Sequence, residues 1–142
     1  MAKTFELSIV TPEKKVFEGK VVSLAAPGIE GEFGVLAQHA PFATVLAPGV
    51  VDIKHEDGRR EMMAVSGGYI EVAAGKAVLL VETAERPEEI DVDTLKRRKA
   101  EHEKMLKARN REDIDYDALQ AQLLNEISRL KAIEILEKRK RV

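Results

Sequence analysis

Val81-Glu82-Thr83-Ala84-Glu85-Arg86-Pro87-Glu88-Glu89-Ile90-Asp91-Val92-Asp93 divides this 142-residue chain into two physical objects. Pro87 is the last of five prolines, and all nine glycines precede it. Gly and Pro are the strongest local punctuators of backbone structure. Upstream of Pro87 the chain is cut every several residues by turn signals. Downstream, from Glu88 to Val142, nothing interrupts a helix. Asp91 and Asp93 suit the positive end of a helix dipole. The expected fold class is α+β: an all-β sandwich over residues 1–87, then an antiparallel two-helix hairpin over 88–142.

Working back from Pro87, Tyr69–Val72 and Ala77–Val81 flank Ala74-Gly75-Lys76, and Val50–Lys54 and Arg60–Val65 flank Glu56-Asp57-Gly58. Both read as β-hairpins. Phe42–Leu46 stops at Pro48-Gly49, and Val21–Ala25 closes at Pro27-Gly28. Phe5-Glu6-Leu7-Ser8-Ile9-Val10 alternates with the period of a half-buried strand. Short strands with turns every 8–12 residues point to a sandwich or barrel. The stretch Gly31–Pro41 reads as a glycine-rich loop.

Working forward, the first helix is expected to run to about Ala108. Its apolar stripe is thin: Val92, Leu95, Met105 and Leu106, with His102 on the same side. A polar break, Arg109–Glu112, precedes Asp113 and Asp115, which offer caps for a second helix. There Tyr116, Leu119, Leu123, Ile127, Leu130 and Ile133 recur at steps of three and four. A hairpin this thinly apolar is marginal by itself and needs a surface to lie on.

Charge follows the same division. Residues 1–90 carry 14 acids and 9 bases, a net of −5; residues 91–142 carry 11 acids and 14 bases, a net of +3. The halves present different electrostatic surfaces, which suits docking of one on the other or two sets of partners. There is no cysteine, so disulfides and thiol chemistry are excluded. The N-terminal residues show no apolar signal pattern, and no run approaches the roughly 20 apolar residues of a membrane span. A soluble part is expected, with no direct membrane insertion.

The sequence offers no catalytic residue, and no cofactor is expected. Six residues separate Gly68 from Gly75-Lys76 where a P-loop has four, and Ala77 replaces the magnesium-binding hydroxyl. Ser66-Gly67-Gly68 lacks the glycine that a nucleophile elbow has two residues before its serine, and reads as a tight turn. His39, His55 and His102 have no metal-binding spacing, so no metal is expected. Lys96-Arg97-Arg98-Lys99 and Lys138–Arg141 are the basis of an alternative, a free-standing nucleic-acid-binding module. The acidic β half, poor in aromatics for base stacking, argues against it, and no nucleic-acid partner is expected.

Gly31-Glu32-Phe33-Gly34-Val35-Leu36-Ala37-Gln38-His39-Ala40-Pro41-Phe42 closely resembles a segment of the epsilon subunits of rotary F-type ATP synthases. The resemblance continues in register through Leu46-Ala47-Pro48-Gly49, Ser66-Gly67-Gly68, Val81-Glu82-Thr83-Ala84 and Asp113-Ile114-Asp115-Tyr116. It implies a non-catalytic rotor part of bacterial type, peripheral on the cytoplasmic face of the inner membrane. The sandwich would bind the gamma shaft and rest on the polar loops of the c-ring, with Glu32, Phe33, Gln38 and His39 at that contact. The arm would lie folded on the sandwich, or open along gamma to the alpha and beta subunits and inhibit ATP hydrolysis. Leu123, Ile127 and Leu130 would then pack on gamma, and Arg129, Lys131, Lys138, Arg139, Lys140 and Arg141 would meet the acidic catalytic subunits.

The chain departs from this family pattern in one respect. Some members bind ATP between the arm's helices through Ile/Leu-Asp-x-x-Arg-Ala. Here Ile90-Asp91 is present, but Thr94-Leu95 occupies the Arg-Ala positions; Asn125 stands where ATP-binding relatives carry Arg, while Arg129 is retained. Ile90, Asp91 and Arg129 are thus an incomplete nucleotide set. The expectation is no ATP affinity tighter than about 1 mM, near −4 kcal/mol.

Overall fold

A computed structural model describes residues 3–140, and side chains up to residue 138. Ten strands come first: β1 (Phe5–Val10), β2 (Lys15–Val21), β3 (Ser23–Gly28), β4 (Gly31–Leu36), β5 (Phe42–Leu46), β6 (Gly49–Lys54), β7 (Arg60–Val65), β8 (Gly68–Ala73), β9 (Lys76–Val81) and β10 (Ala84–Glu85). A 3₁₀ turn at Pro87–Glu89 leads into α1 (Val92–Lys107) and α2 (Tyr116–Lys140). Strands precede Pro87, and helices follow it.

The strands hydrogen-bond in the order β10-β7-β6-β3-β5-β8-β9-β1-β2, with β4 paired to β3. The path turns its corner where β3 meets β5, at the single pair Gly28↔Leu46. The neighbours are antiparallel except β1 and β9, which run parallel from Glu6↔Lys76 to Val10↔Leu80. Alternation sends Leu7, Ile9, Leu24, Val35, Val51, Ile53, Met63, Ile70 and Leu79 into one continuous core. Every residue of that core lies between Phe5 and Ala84. The sandwich therefore closes its core without the arm.

Both predicted hairpins form, β6–β7 and β8–β9. Ser66-Gly67-Gly68, expected as a tight turn, is an extended link from β7 to β8 that hydrogen-bonds to Glu82 and Thr83, and its Gly68 is needed for a steric reason. Gly68 has φ +151°, and a Cβ there would lie 2.1 Å from the Leu80 carbonyl oxygen. The loop reading of Gly31–Pro41 is corrected. Residues 31–36 are strand β4, paired with β3 from Gly28↔Gly31 to Ser23↔Leu36. Gly31 takes the turn at φ +134°, and Phe33 and Val35 point inward. Glycine at 31 and 34 removes one side chain from each face of the alternation, which hides the strand.

The helices form where expected. Asp91 caps α1, its Oδ1 accepting from the Thr94 backbone N–H at 3.2 Å. The α1–α2 loop is closed by Asp113 Oδ2, which accepts from the Asn110 N–H at 3.0 Å, and by Arg109–Asp115 at 3.1 Å. The arm lies folded on the sandwich. Ala132, Ile135 and Leu136 of α2 pack on Val50 of β6 and on Met62 and Ala64 of β7.

Candidate functional site

Three surfaces carry the residues that the sequence singled out. The first surrounds the β4–β5 connection. The His39 ring lies against Phe42 with centroids 5.8 Å apart, and Phe42 meets Phe33 edge-on at 5.3 Å. His39 Nδ1 is 2.7 Å from the Ala40 carbonyl oxygen, and the ring is half-exposed. Gln38 adopts φ 65°, and its side-chain oxygen accepts from Lys3 Nζ at 3.3 Å. The structure thus brings Phe33, Gln38 and His39 to one corner. Glu32 points elsewhere. It is exposed and lines a cleft with Pro27, Gly28, Lys131 and Ile135, between the β3–β4 turn and α2.

The second surface was missed in the sequence. Val45 of β5, Tyr69 of β8 and Leu80 of β9 are cross-strand neighbours, and all three are exposed. They form an apolar row on the outside of the sheet. Its only sequence signal is that the outward positions of these strands are apolar where a solvated face would be polar. Ile29, in the β3–β4 turn, and Leu36, at the opposite end of that hairpin, are exposed as well.

The third surface lies between the helices and β10. A cleft there is lined by Glu85, Arg98, Glu101, His102, Asn125, Glu126 and Arg129, with Thr83 and Gln122 at its edges. Arg129 Nη2 donates to Glu85 Oε2 at 2.9 Å, tying α2 to the last strand. His102 Nδ1 lies 2.7 Å from Glu126 Oε1, tying α1 to α2. Ile90 is buried, and the Thr94 N–H and hydroxyl hold the Asp91 carboxyl below the usual carboxylate range. The three residues of the incomplete nucleotide set are therefore a core contact, a helix cap and an ion-pair partner. Among the described residues no cluster of His, Cys, Asp or Glu is arranged to hold a metal.

A fourth cluster sits at the junction itself. Arg86 Nε donates to Glu61 Oε1 at 2.7 Å, and His55 Nε2 lies 3.0 Å from Glu61 Oε2. Burial pushes the Glu61 carboxyl up, but the Arg86 and His55 hydrogen bonds outweigh it and leave the group below its ordinary range. The residue preceding Pro87 is thus anchored to β7.

Of the predicted arm contacts, Leu123 and Leu130 are half-buried, Ile127 and Lys131 are exposed, and Arg129 is paired. Met105, expected on the inner stripe of α1, is exposed. Lys138 is exposed and lies 3.8 Å from Glu134. The Arg139 and Lys140 side chains and Arg141 lie outside the described residues. In the basic run of α1, Lys99 pairs with Glu103 at 2.7 Å and Arg98 faces the cleft.

The chain is thus a β-sandwich with its own core, carrying a helical hairpin packed on it through a small apolar patch and the Arg129–Glu85 ion pair. No helix of the described residues is long and apolar enough to cross a membrane. Residues 4–87 match the family model of the ATP synthase delta/epsilon chain β-sandwich domain. The chain is 42% identical over 134 residues to the ATP synthase epsilon chain of Desulforamulus reducens, covering 94% of this chain and 100% of that one. It belongs to the delta/epsilon chain family of ATP synthase. Its fold is similar to a chain in the Euglena gracilis mitochondrial ATP synthase OSCP/F1/c-ring structure, with a TM-score of 0.70 and 25% identity over 96% of this chain and 81% of that one. A chain in the Tetrahymena thermophila mitochondrial ATP synthase central stalk/c-ring structure shares the fold at a TM-score of 0.63 and 15% identity, over 93% of this chain and 98% of that one.

Proposed function

We propose that this chain is a non-catalytic rotor subunit of a bacterial ATP synthase, joining the gamma shaft to the c-ring and restraining ATP hydrolysis through its arm. It works at the cytoplasmic face of the inner membrane as a peripheral part of the complex. The observation that carries this reading is the division of labour in packing. The main core uses no residue after Ala84, whereas the arm is held by a few apolar contacts and ion pairs. A body that stays folded while its arm leaves fits a coupling element with a regulatory extension.

The row Val45–Tyr69–Leu80 gives gamma an apolar seat, and the Phe33–Gln38–His39 corner gives the c-ring loops a mixed polar and aromatic one. Glu32 lies on the flank nearer the arm, where a departing Lys131 would leave it open to a second partner. In the open state Arg129, Lys131 and Lys138 are free for the alpha and beta subunits, and Leu123, Ile127 and Leu130 for gamma. Nucleotide has no part in this scheme.

The test is ATP hydrolysis and ATP-driven proton pumping by the whole complex with and without residues 88–142. Hydrolysis rises on truncation while pumping stays coupled. Unchanged hydrolysis overturns the inhibitory role of the arm, and loss of the truncated subunit from the complex overturns the assignment of binding to the sandwich. A Glu32→Cys variant crosslinks to a cysteine in the c-subunit polar loop; crosslinking only to alpha or beta refutes that contact.

A further inference from the structure

The cleft between α1, α2 and β10 holds a carboxylate that the coupling scheme does not use. Glu126 is about as buried as a core leucine, with 6% of its side chain exposed. Its Oε1 lies 2.7 Å from Nδ1 of His102, which is itself 21% exposed. A buried carboxylate is stable only when paired or hydrogen-bonded. The charged groups that face this pair are Glu101 and Arg98 from α1, Arg129 from α2 and Glu85 from β10. Glu88 and Glu89, on the neighbouring 3₁₀ turn, point to solvent. With a neutral imidazole, three carboxylates in the cleft face two guanidinium groups. One proton on His102 brings the cluster to neutrality.

We propose that His102 and Glu126 form a proton-operated latch within the arm that holds α2 against α1, and through α1 keeps α2 in its folded place on the sandwich, tighter at low pH and looser at high pH. His is the side chain whose ordinary titration falls between pH 5 and 8. When His102 is charged, it makes a charge-assisted hydrogen bond to Glu126 across the two helices. It also removes the surplus negative charge that weakens the adjoining Glu85–Arg129 tie. When His102 is neutral, Glu126 keeps one neutral hydrogen bond and the cleft carries an unbalanced charge. The latch is built to release. Arg129 Nε and Asn125 Oδ1 are buried without a hydrogen-bond partner among the described residues, so closure leaves polar groups that opening would solvate. The direction is that acidification of the compartment bathing the arm favours the folded form.

This inference rests on the arm being a movable regulator, and its test on the isolated full chain is independent of the hydrolysis assay. The protein has no cysteine, so dyes go to Glu56→Cys on the sandwich and Glu137→Cys on α2, both exposed in the native chain. Energy transfer then reports the folded fraction. The open-to-folded ratio is expected to rise about fivefold between about pH 6 and about pH 8, as for a partly buried ion pair. His102→Gln abolishes the dependence, His102→Lys keeps the arm folded at both values, and Glu126→Gln flattens the response. His39→Gln and His55→Gln leave it intact. A native ratio that does not change with pH, or a full response surviving in His102→Gln, overturns the latch. Circular dichroism confirms that each variant retains its helices.

Discussion

The sandwich and the arm are built from the same aliphatic alphabet but held by different kinds of contact. In the sandwich, Leu7, Ile9, Val51, Ile53 and Leu79 are fully buried among one another. In the arm, Ala132 is the one residue in the described part of α2 that is fully buried, and it has a single methyl to contribute. The remaining attachment is half-buried Ile135 and Leu136 plus the Arg129–Glu85 ion pair, while His102–Glu126 ties the two helices of the arm to each other. Dispersion and apolar burial scale with area and cannot easily be exchanged. Ion pairs and small patches can be, because water or another protein replaces them at little cost. The difference teaches that one chain can hold a core fixed by buried aliphatic area beside an arm fixed mostly by small and polar contacts.

The comparison is broken most severely from the sandwich side. Ile53→Ala removes most of a fully buried side chain and is expected to cost about 2–5 kcal/mol of global stability. Urea unfolding of the intact chain measures it as a lower midpoint with an unchanged slope. If instead only arm detachment shifted, the independence of the two cores would be wrong.

A smaller effect is expected from the arm side. Ala132 is 0% exposed where α2 meets Met62 and Ala64. Ala132→Leu overpacks that contact by about 1–3 kcal/mol. The arm relieves the strain by lifting, so the cost appears as a higher open fraction and not as a lower unfolding midpoint of the sandwich. Energy transfer between the Glu56→Cys and Glu137→Cys labels reads the first, and urea unfolding reads the second. Together with Ile53→Ala this separates the two regions experimentally.

Much of this division was legible in the sequence because it rests on local signals. Turn residues delimit the strands, alternation selects Leu7 and Ile9 for the core, and the loss of Gly and Pro after Pro87 announces the helices. The misses have physical causes. β4 was hidden because glycine at 31 and 34 takes a side chain from each face of its alternation. The stripe Tyr116–Ile133 predicts one buried face, but α2 has two neighbours, α1 and the β6–β7 hairpin. Burial is therefore shared, Ile127 is left exposed, and Ala132, which lies off the stripe, is covered. Arg129–Glu85 and His102–Glu126 join residues 44 and 24 positions apart, and no local spacing encodes such pairs. The corner that gathers Phe33, Gln38 and His39 was readable as a motif, whereas the position of Glu32 beside Lys131 depends on where the arm rests.

The subtlest test lies at the seam between the regions. Glu61 on β7 holds Arg86 with one carboxylate oxygen and His55 with the other, so it fixes the chain one residue before Pro87. Burial opposes its charge, and the two hydrogen bonds outweigh burial, so the folded chain holds it ionised below its ordinary range. A carboxyl depressed on folding contributes stability that is fully present above its unfolded value. That contribution is lost as pH falls through the folded value. The seam should therefore be firm at neutral pH and weaken only in acid, below about pH 4.5. This is the opposite sense to the proposed His102 latch, which tightens on protonation. Glu61→Gln removes the charge but keeps an oxygen for Arg86, and should cost on the order of 1 kcal/mol at pH 7 and almost nothing in acid. Hydrogen exchange of the Ala84 and Glu85 amides against Val65 and Ala64 reports it locally. Faster exchange there at pH 7, with the folded fraction of the arm unchanged, would place the pivot beyond Arg86. Arm release by Glu61→Gln alone would move the pivot back into β10.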